Sequence, residues 1–274
     1  MSERGRAHID SIFNAHRAQN TRALMPFVCA GQPDLETTQR TLPALEEGGA
    51  SIVEVGFPFS DPIADGPVIA GAMHRALEAG VTPAGVIDAV ARARDDTSLG
   101  IIAMVSVSIV ERIGRERFVA RCAEAGFDGF IFPDLPLEES GELLDFVRAH
   151  GLCASLLVAP STPTERARDI AAACSGFVYV LARAGITGSG GEVDATGIRQ
   201  RTEQLRAVTD LPLAVGFGIS SADHVRAVVE HADAAIVGSA LVKRIADAVA
   251  DGSDPVAAAN AFVRELSAGL PAPA

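Results

Sequence analysis

Eight short apolar runs recur along the chain, each separated from the next by a stretch of helical periodicity, and this alternation restricts the possible folds severely. The runs are LMPFVC (24–29), SIVEVGF (51–57), GIIAMVSV (100–107), GFIF (129–132), CASLLV (153–158), GFVYVL (176–181), PLAVGF (212–217) and AAIVG (234–238). They are apolar on both faces, as strands covered on both sides must be. The segments between them, such as RERFVARCAEAG and ADHVRAVVEHA, are amphipathic, and several end on Gly as a helix C-cap should. Such strands joined by such helices call for a parallel sheet wrapped in helices. Eight units predict an α/β fold closed into a (β/α)8 TIM barrel. A doubly wound open sheet is the alternative, but AGQPD follows the first run where that fold usually carries GxGxxG.

The chain reads as one barrel domain over 1–274. An additional helix over about 5–19 precedes the first strand and is placed to plug the barrel's lower end. The interval 57–100 has room for a long loop and an added helix. A single long helix is expected from 240 to about 266, followed by a disordered Pro/Ala tail over 268–274.

A hydrophobic fraction of 48% supplies a sizeable core, which excludes a disordered or disulfide-stapled chain. With 35 acidic and 23 basic residues the net charge is −12, adverse to nucleic acid and to anionic membranes. An anionic substrate would therefore have to be held by local amides and helix termini. The four cysteines (29, 122, 153 and 174) show no CxxC spacing and read as small buried residues in a reducing compartment. The N-terminus lacks the apolar core of a signal peptide, and no apolar run is long enough to span a bilayer. These features predict a cytoplasmic protein.

The stretch IVEVGFPFSDPIADGP (52–67) puts Glu54 inside an apolar strand and Asp61 and Asp65 in the loop after it. Burial lifts a carboxyl pKa towards the range where the group both gives and takes a proton at neutral pH. If Val53, Val55 and Phe57 face the helices, alternation sends Glu54 into the lumen near the strand's C-terminal end, where barrel enzymes hold their chemistry. The competing reading is a structural acid bonded to backbone amides. Asp65 can reach the barrel mouth, whereas Asp61 in SDP is equally a local turn former.

Two Gly-rich turns, GFGIS (216–220) and VGSA (237–240), leave the last two strands and open helices. Together they read as a phosphate cradle built from free N–H groups and helix dipoles. The segment ARAGITGSGGEV (182–193) is either a lid or an idle surface loop. Tyr179, the one tyrosine, has a core role as its default. The six histidines all lie in helix-like segments, so no histidine metal site or nucleophile is expected.

In this order, PFSDPIADGP, DLPLEES (134–140), RAGITG (183–188), GFGIS and VGSA resemble the tryptophan synthase α-subunit family. The resemblance runs from Met25-Pro26-Phe27 to the final helix, and SDPIADGP is its most specific element. It implies a lyase that splits indole-3-glycerol phosphate into indole and glyceraldehyde 3-phosphate without a cofactor in this chain. A pyridoxal-phosphate β subunit would be its partner in an α2β2 heterotetramer.

By the same resemblance, Glu54 is the acid/base and Asp65 accepts the indole N–H. Phe27 and Tyr179 flank the substrate, and Thr187 meets Asp65 on closure. Gly188, Gly216, Gly218, Gly238 and Ser239 contact phosphate, and Phe217 joins them among the substrate-binding positions. The segment 104–109, with Ser106 and Ser108, departs from the family pattern where the partner contact is implied. A free-standing lyase that releases indole and a ligand-binding activator of a β subunit remain alternatives.

Overall fold

The computed structural model describes residues 4–62, 65–182, 194–216 and 218–272. Its strands are β1 (Ala23–Cys29), β2 (Ile52–Gly56), β3 (Gly100–Met104), β4 (Gly129–Ile131), β5 (Cys153–Ser155), β6 (Leu157–Val158), β7 (Val178–Leu181), β8 (Leu213–Gly216) and β9 (Ala234–Val237). All pair in parallel, in the order β5-β4-β3-β2-β1-β9-β8-β7-β6. The helices are α1 (Arg6–Ala18), α2 (Leu35–Glu47), α3 (Pro67–Glu78), α4 (Pro83–Ala93), α5 (Val107–Ile113) and α6 (Arg115–Glu124). They continue with α7 (Gly141–Ala149), α8 (Thr164–Ala173), α9 (Ala195–Arg206), α10 (Ala222–Val229), α11 (Ser239–Asp251) and α12 (Pro255–Ser267). This is the expected TIM barrel with its additional N-terminal helix.

Three expectations are corrected. The run 153–158 is two strands, β5 pairing with β4 and β6 with β7. Side chains keep alternating through the break, but the Leu156 N–H turns to the Cys174 sulfur, 3.2 Å away. The barrel thus closes through one interrupted strand. The run 100–107 stops being a strand at Met104, because Asp134 draws the next residues into a helix start. Ser106 Oγ donates to its Oδ2 at 2.6 Å and the Val107 N–H to its Oδ1 at 2.9 Å. The final helix is two: Gly252 takes a left-handed φ of 78°, and Asp254 caps α12 by accepting from the Val256 N–H.

Alternation sorts the strand residues into two sets. Val53, Val55, Ala103, Val178, Val180 and Val215 pack into the shell between strands and helices. Met25, Ile52, Ile102, Ile131, Tyr179 and Ile236 fill the lumen. From α1, Ile9 and Phe13 enter that lumen cluster, plugging the end opposite the strand C-termini. The plug is tied down by Asp128, which is wholly buried. Its carboxylate accepts from the Gly5 N–H at 2.7 Å and the Ile101 N–H at 2.8 Å, and pairs with Arg94 at 3.3 Å and His8 at 3.2 Å. No helix among the described residues is long and apolar enough to cross a membrane.

Candidate active site

Glu54 shares its strand face with Ile52 of the lumen cluster, while Val53 and Val55 on either side of it belong to the shell. Its carboxyl is therefore turned inward. It has no solvent exposure, and among the described residues neither of its oxygens has a hydrogen-bond partner. That contradicts the reading of a structural acid held by backbone amides. Burial pushes its pKa well above the usual carboxylate range. A buried acceptor left unsatisfied costs about 1–3 kcal/mol, a cost a purely structural side chain would avoid.

Phe27 is the register partner of Glu54 on β1. Its ring lies where a side chain on Gly56 would stand: a Cβ there would be 2.5 Å from Phe27 Cε2 and nearer still to Cζ. Gly56 is thus what lets the ring fold over β2. Around Phe27 gather Cys29 and Val242, with Ile69, Ala72 and Met73 of α3, which form an upper apolar layer. Gly238, the residue before α11, adjoins this layer, its Cβ direction pointing at Ile69 and at the Phe27 Cβ, 4.0 Å away.

Tyr179 rises from the lumen face of β7 to Gly216, where an added Cβ would stand 2.7 Å from its hydroxyl. Burial raises the Tyr179 pKa well above its ordinary value, and the charges of Glu54 and Asp65 raise it further, which places all three in one electrostatic neighbourhood. Asp65 is half-buried in the loop before α3, and burial lifts its pKa to about 6. The site thus holds one carboxyl whose burial strongly favours its protonated form and one that titrates at about 6, an arrangement suited to proton exchange beside a developing positive charge.

The two glycine turns differ in how they meet their helices. Gly218 has a positive φ of 76° in the turn before α10, where one of the first N–H groups, that of His224, donates to the Ser221 side chain. At α11 no side chain caps the helix, and Gly238, Ser239 and Ala240 are all partly accessible. Among the described residues those N–H groups meet no capping side chain, which suits them to an anion. Asp61 is exposed. Thr187, Gly188 and Phe217 lie outside the described residues. No group of His, Cys, Asp and Glu able to hold a metal occurs among the described residues.

The contribution of α3 to the upper layer escaped sequence reasoning. Its signal was there in the apolar spacing of Ile69, Ala72, Met73 and Ala76 within the long 57–100 interval.

Residues 13–271 match the family profile described as tryptophan synthase alpha chain. The tryptophan synthase alpha chain of Synechococcus sp. (strain CC9902) is 44% identical over 249 residues, covering 90% of this chain and 92% of the relative. That of Chloroflexus aggregans is 44% identical over 259 residues, covering 94% and 96%. Among solved structures, tryptophan synthase subunit alpha from Legionella pneumophila superposes with a TM-score of 0.88 at 32% identity, covering 98% of both chains. Tryptophan synthase from M. tuberculosis in its aminoacrylate-bound form gives 0.85 at 32% identity, covering 96% of this chain and 98% of that one.

Proposed function

The chain belongs to the tryptophan synthase α-chain family, a lyase of tryptophan biosynthesis that cleaves indole-3-glycerol phosphate and pairs with a β subunit, and we propose that Glu54 and Asp65 carry its chemistry. The observation that supports this most is the fully buried carboxyl of Glu54 in the lumen, which has no hydrogen-bond partner among the described residues.

Protonated Glu54 delivers its proton to the ring carbon that bears the glycerol phosphate chain, giving an indolenine-like cation. Ionised Asp65 accepts the ring N–H and offsets that positive charge. The carboxylate left on Glu54 then takes the proton of the side-chain hydroxyl next to the ring. Its oxygen becomes the aldehyde of glyceraldehyde 3-phosphate as the carbon–carbon bond breaks, and the bonding electrons return to the ring as indole. Glu54 ends as it began, protonated, so the cycle balances without a cofactor in this chain.

Phe27 and Tyr179 flank the ring. The N–H groups at Gly238 and Ser239, with Gly216 and Gly218, hold the phosphate; main-chain donors suit a chain of net charge −12 that offers little positive field. Thr187 and Gly188 join from the segment after β7. The β partner is read as a pyridoxal-phosphate enzyme in an α2β2 assembly, the setting as cytoplasmic, and residues 1–274 as one domain.

Incubating the purified chain with indole-3-glycerol phosphate, alone and with a β subunit, tests the proposal. Equimolar indole and glyceraldehyde 3-phosphate are expected, faster with the partner. Absence of both products under either condition would overturn it.

A further inference from the structure

We propose that Met104 is a specificity-determining residue, its thioether forming with the Phe27 ring the apolar wall above Glu54 on which the fused benzene edge of an indole packs. The inference deepens the lyase reading and rests on it.

Register locates the residue. On β3, Ile102 pairs with Glu54, and Met104, the next residue on the same face, pairs with Gly56. Met104 therefore stands one lumen step above the proton-exchanging carboxyl, beside a strand position with no side chain. The space over Gly56 is taken by the Phe27 ring. Met104 packs against both inner clusters, the lumen set with Ile52, Ile102 and Tyr179 and the upper layer with Phe27 and Ile69. It bridges the layer holding the acid and the layer roofing it.

Its exposure sets it apart from its strand neighbours. Ile102 and Ile131, its lumen companions on β3 and β4, are completely buried and β-branched, whereas Met104 is only partly buried. A partly uncovered apolar side chain at that point has atoms left to contact a ligand. The backbone around it is fixed. Met104 O accepts from the Phe57 N–H at 2.9 Å, and the Val105 N–H donates to Ile131 O at 3.1 Å. Two residues on, Asp134 clamps Ser106 and Val107. What adapts is the side chain alone, unbranched and polarizable, of a kind that packs well against the edge of an aromatic ring.

The reverse reaction separates the ring from the phosphate, because indole and glyceraldehyde 3-phosphate are added as distinct substrates. Met104→Ala should raise KM for indole about 10-fold, the scale set by removing methylene contacts from a hydrophobic pocket. KM for glyceraldehyde 3-phosphate should stay unchanged, and Met104→Leu should restore the indole value. Met104→Ala should also gain relative rate on indoles substituted on the benzene ring. The inference is overturned if Met104→Ala leaves both indole KM and this substrate preference unchanged. It is equally overturned if the two KM values rise in parallel, the mark of a loosened fold. Should the wild type interconvert none of these compounds, the lyase reading itself falls, an outcome distinct from an active wild type with an indifferent Met104→Ala.

Discussion

Gly56→Ala puts the close approach of the Phe27 ring to β2 to a direct test. The new Cβ would stand 2.5 Å from Phe27 Cε2, whereas carbons rest at about 3.5–4.0 Å. The ring must then retreat by roughly 1 Å. It has little room to do so, being 3% exposed and backed by Ile69 and Gly238 in a close-packed layer. Overpacking of this kind costs about 1–3 kcal/mol. For a domain of this size each kcal/mol lowers Tm by about 2–4 °C, so a fall of about 2–12 °C is expected. Activity should suffer more than stability, since a displacement of about 1 Å in a substrate-flanking group can cost about 100-fold in rate. Thermal denaturation and steady-state indole release measure the two effects. Phe27→Leu in the Gly56→Ala background should recover much of the lost stability, with a coupling energy above about 0.5 kcal/mol. A Gly56→Ala protein with wild-type Tm and wild-type kcat/KM, or a double mutant showing no coupling, would mean that the Phe27 ring does not depend on the missing side chain at Gly56.

Two further predictions concern charge. Asp128→Ala strips the acceptor from the Gly5 and Ile101 amides and leaves Arg94 buried without its counter-ion, so urea unfolding should show a loss of about 3–5 kcal/mol. The folded fraction should keep its kcat, because this network closes the end of the barrel opposite the site. Asp65, with its pKa raised from 3.8 to about 6 by burial, must be ionised to face the cationic ring, so kcat/KM should rise with pH through about 6. Asp65→Asn should lose both this limb and most of the rate; a variant that kept the limb would assign it to another group. The linkage to stability has the opposite sign. Because the folded pKa lies above the ordinary value, this group's favourable contribution is complete below about 3.8 and lost as pH passes about 6.

Much of the barrel was readable because parallel strands covered on both faces must be apolar throughout. SIVEVGF became β2 and AAIVG became β9 within one or two residues of the expected ends. What escaped the sequence depended on partners remote along the chain. The break at Leu156 is made by Cys174, and the early end of β3 by Asp134. The division of the last helix was a different case, since Gly252, Asp254 and Pro255 carry ordinary stop and start signals that the apolar periodicity on either side obscured. At the site, the inward turn of Glu54 followed from alternation once the valines were assigned to the shell. Its lack of a hydrogen-bond partner among the described residues is a property of the packed lumen, and no local pattern encodes it. Met104 was hidden for a similar reason: nothing in GIIAMV distinguishes the one partly uncovered side chain from the buried residues before it.

Cleavage depends above all on the proton that Glu54 gives and takes back. Glu54→Gln keeps the size of the side chain and removes that proton exchange. Single-turnover cleavage of indole-3-glycerol phosphate, with substrate binding measured in the same preparation, should show the rate falling by about 100- to 10,000-fold while affinity stays near wild type. A variant that binds substrate and cleaves it at close to the wild-type rate would show that Glu54 is not the proton-exchanging group.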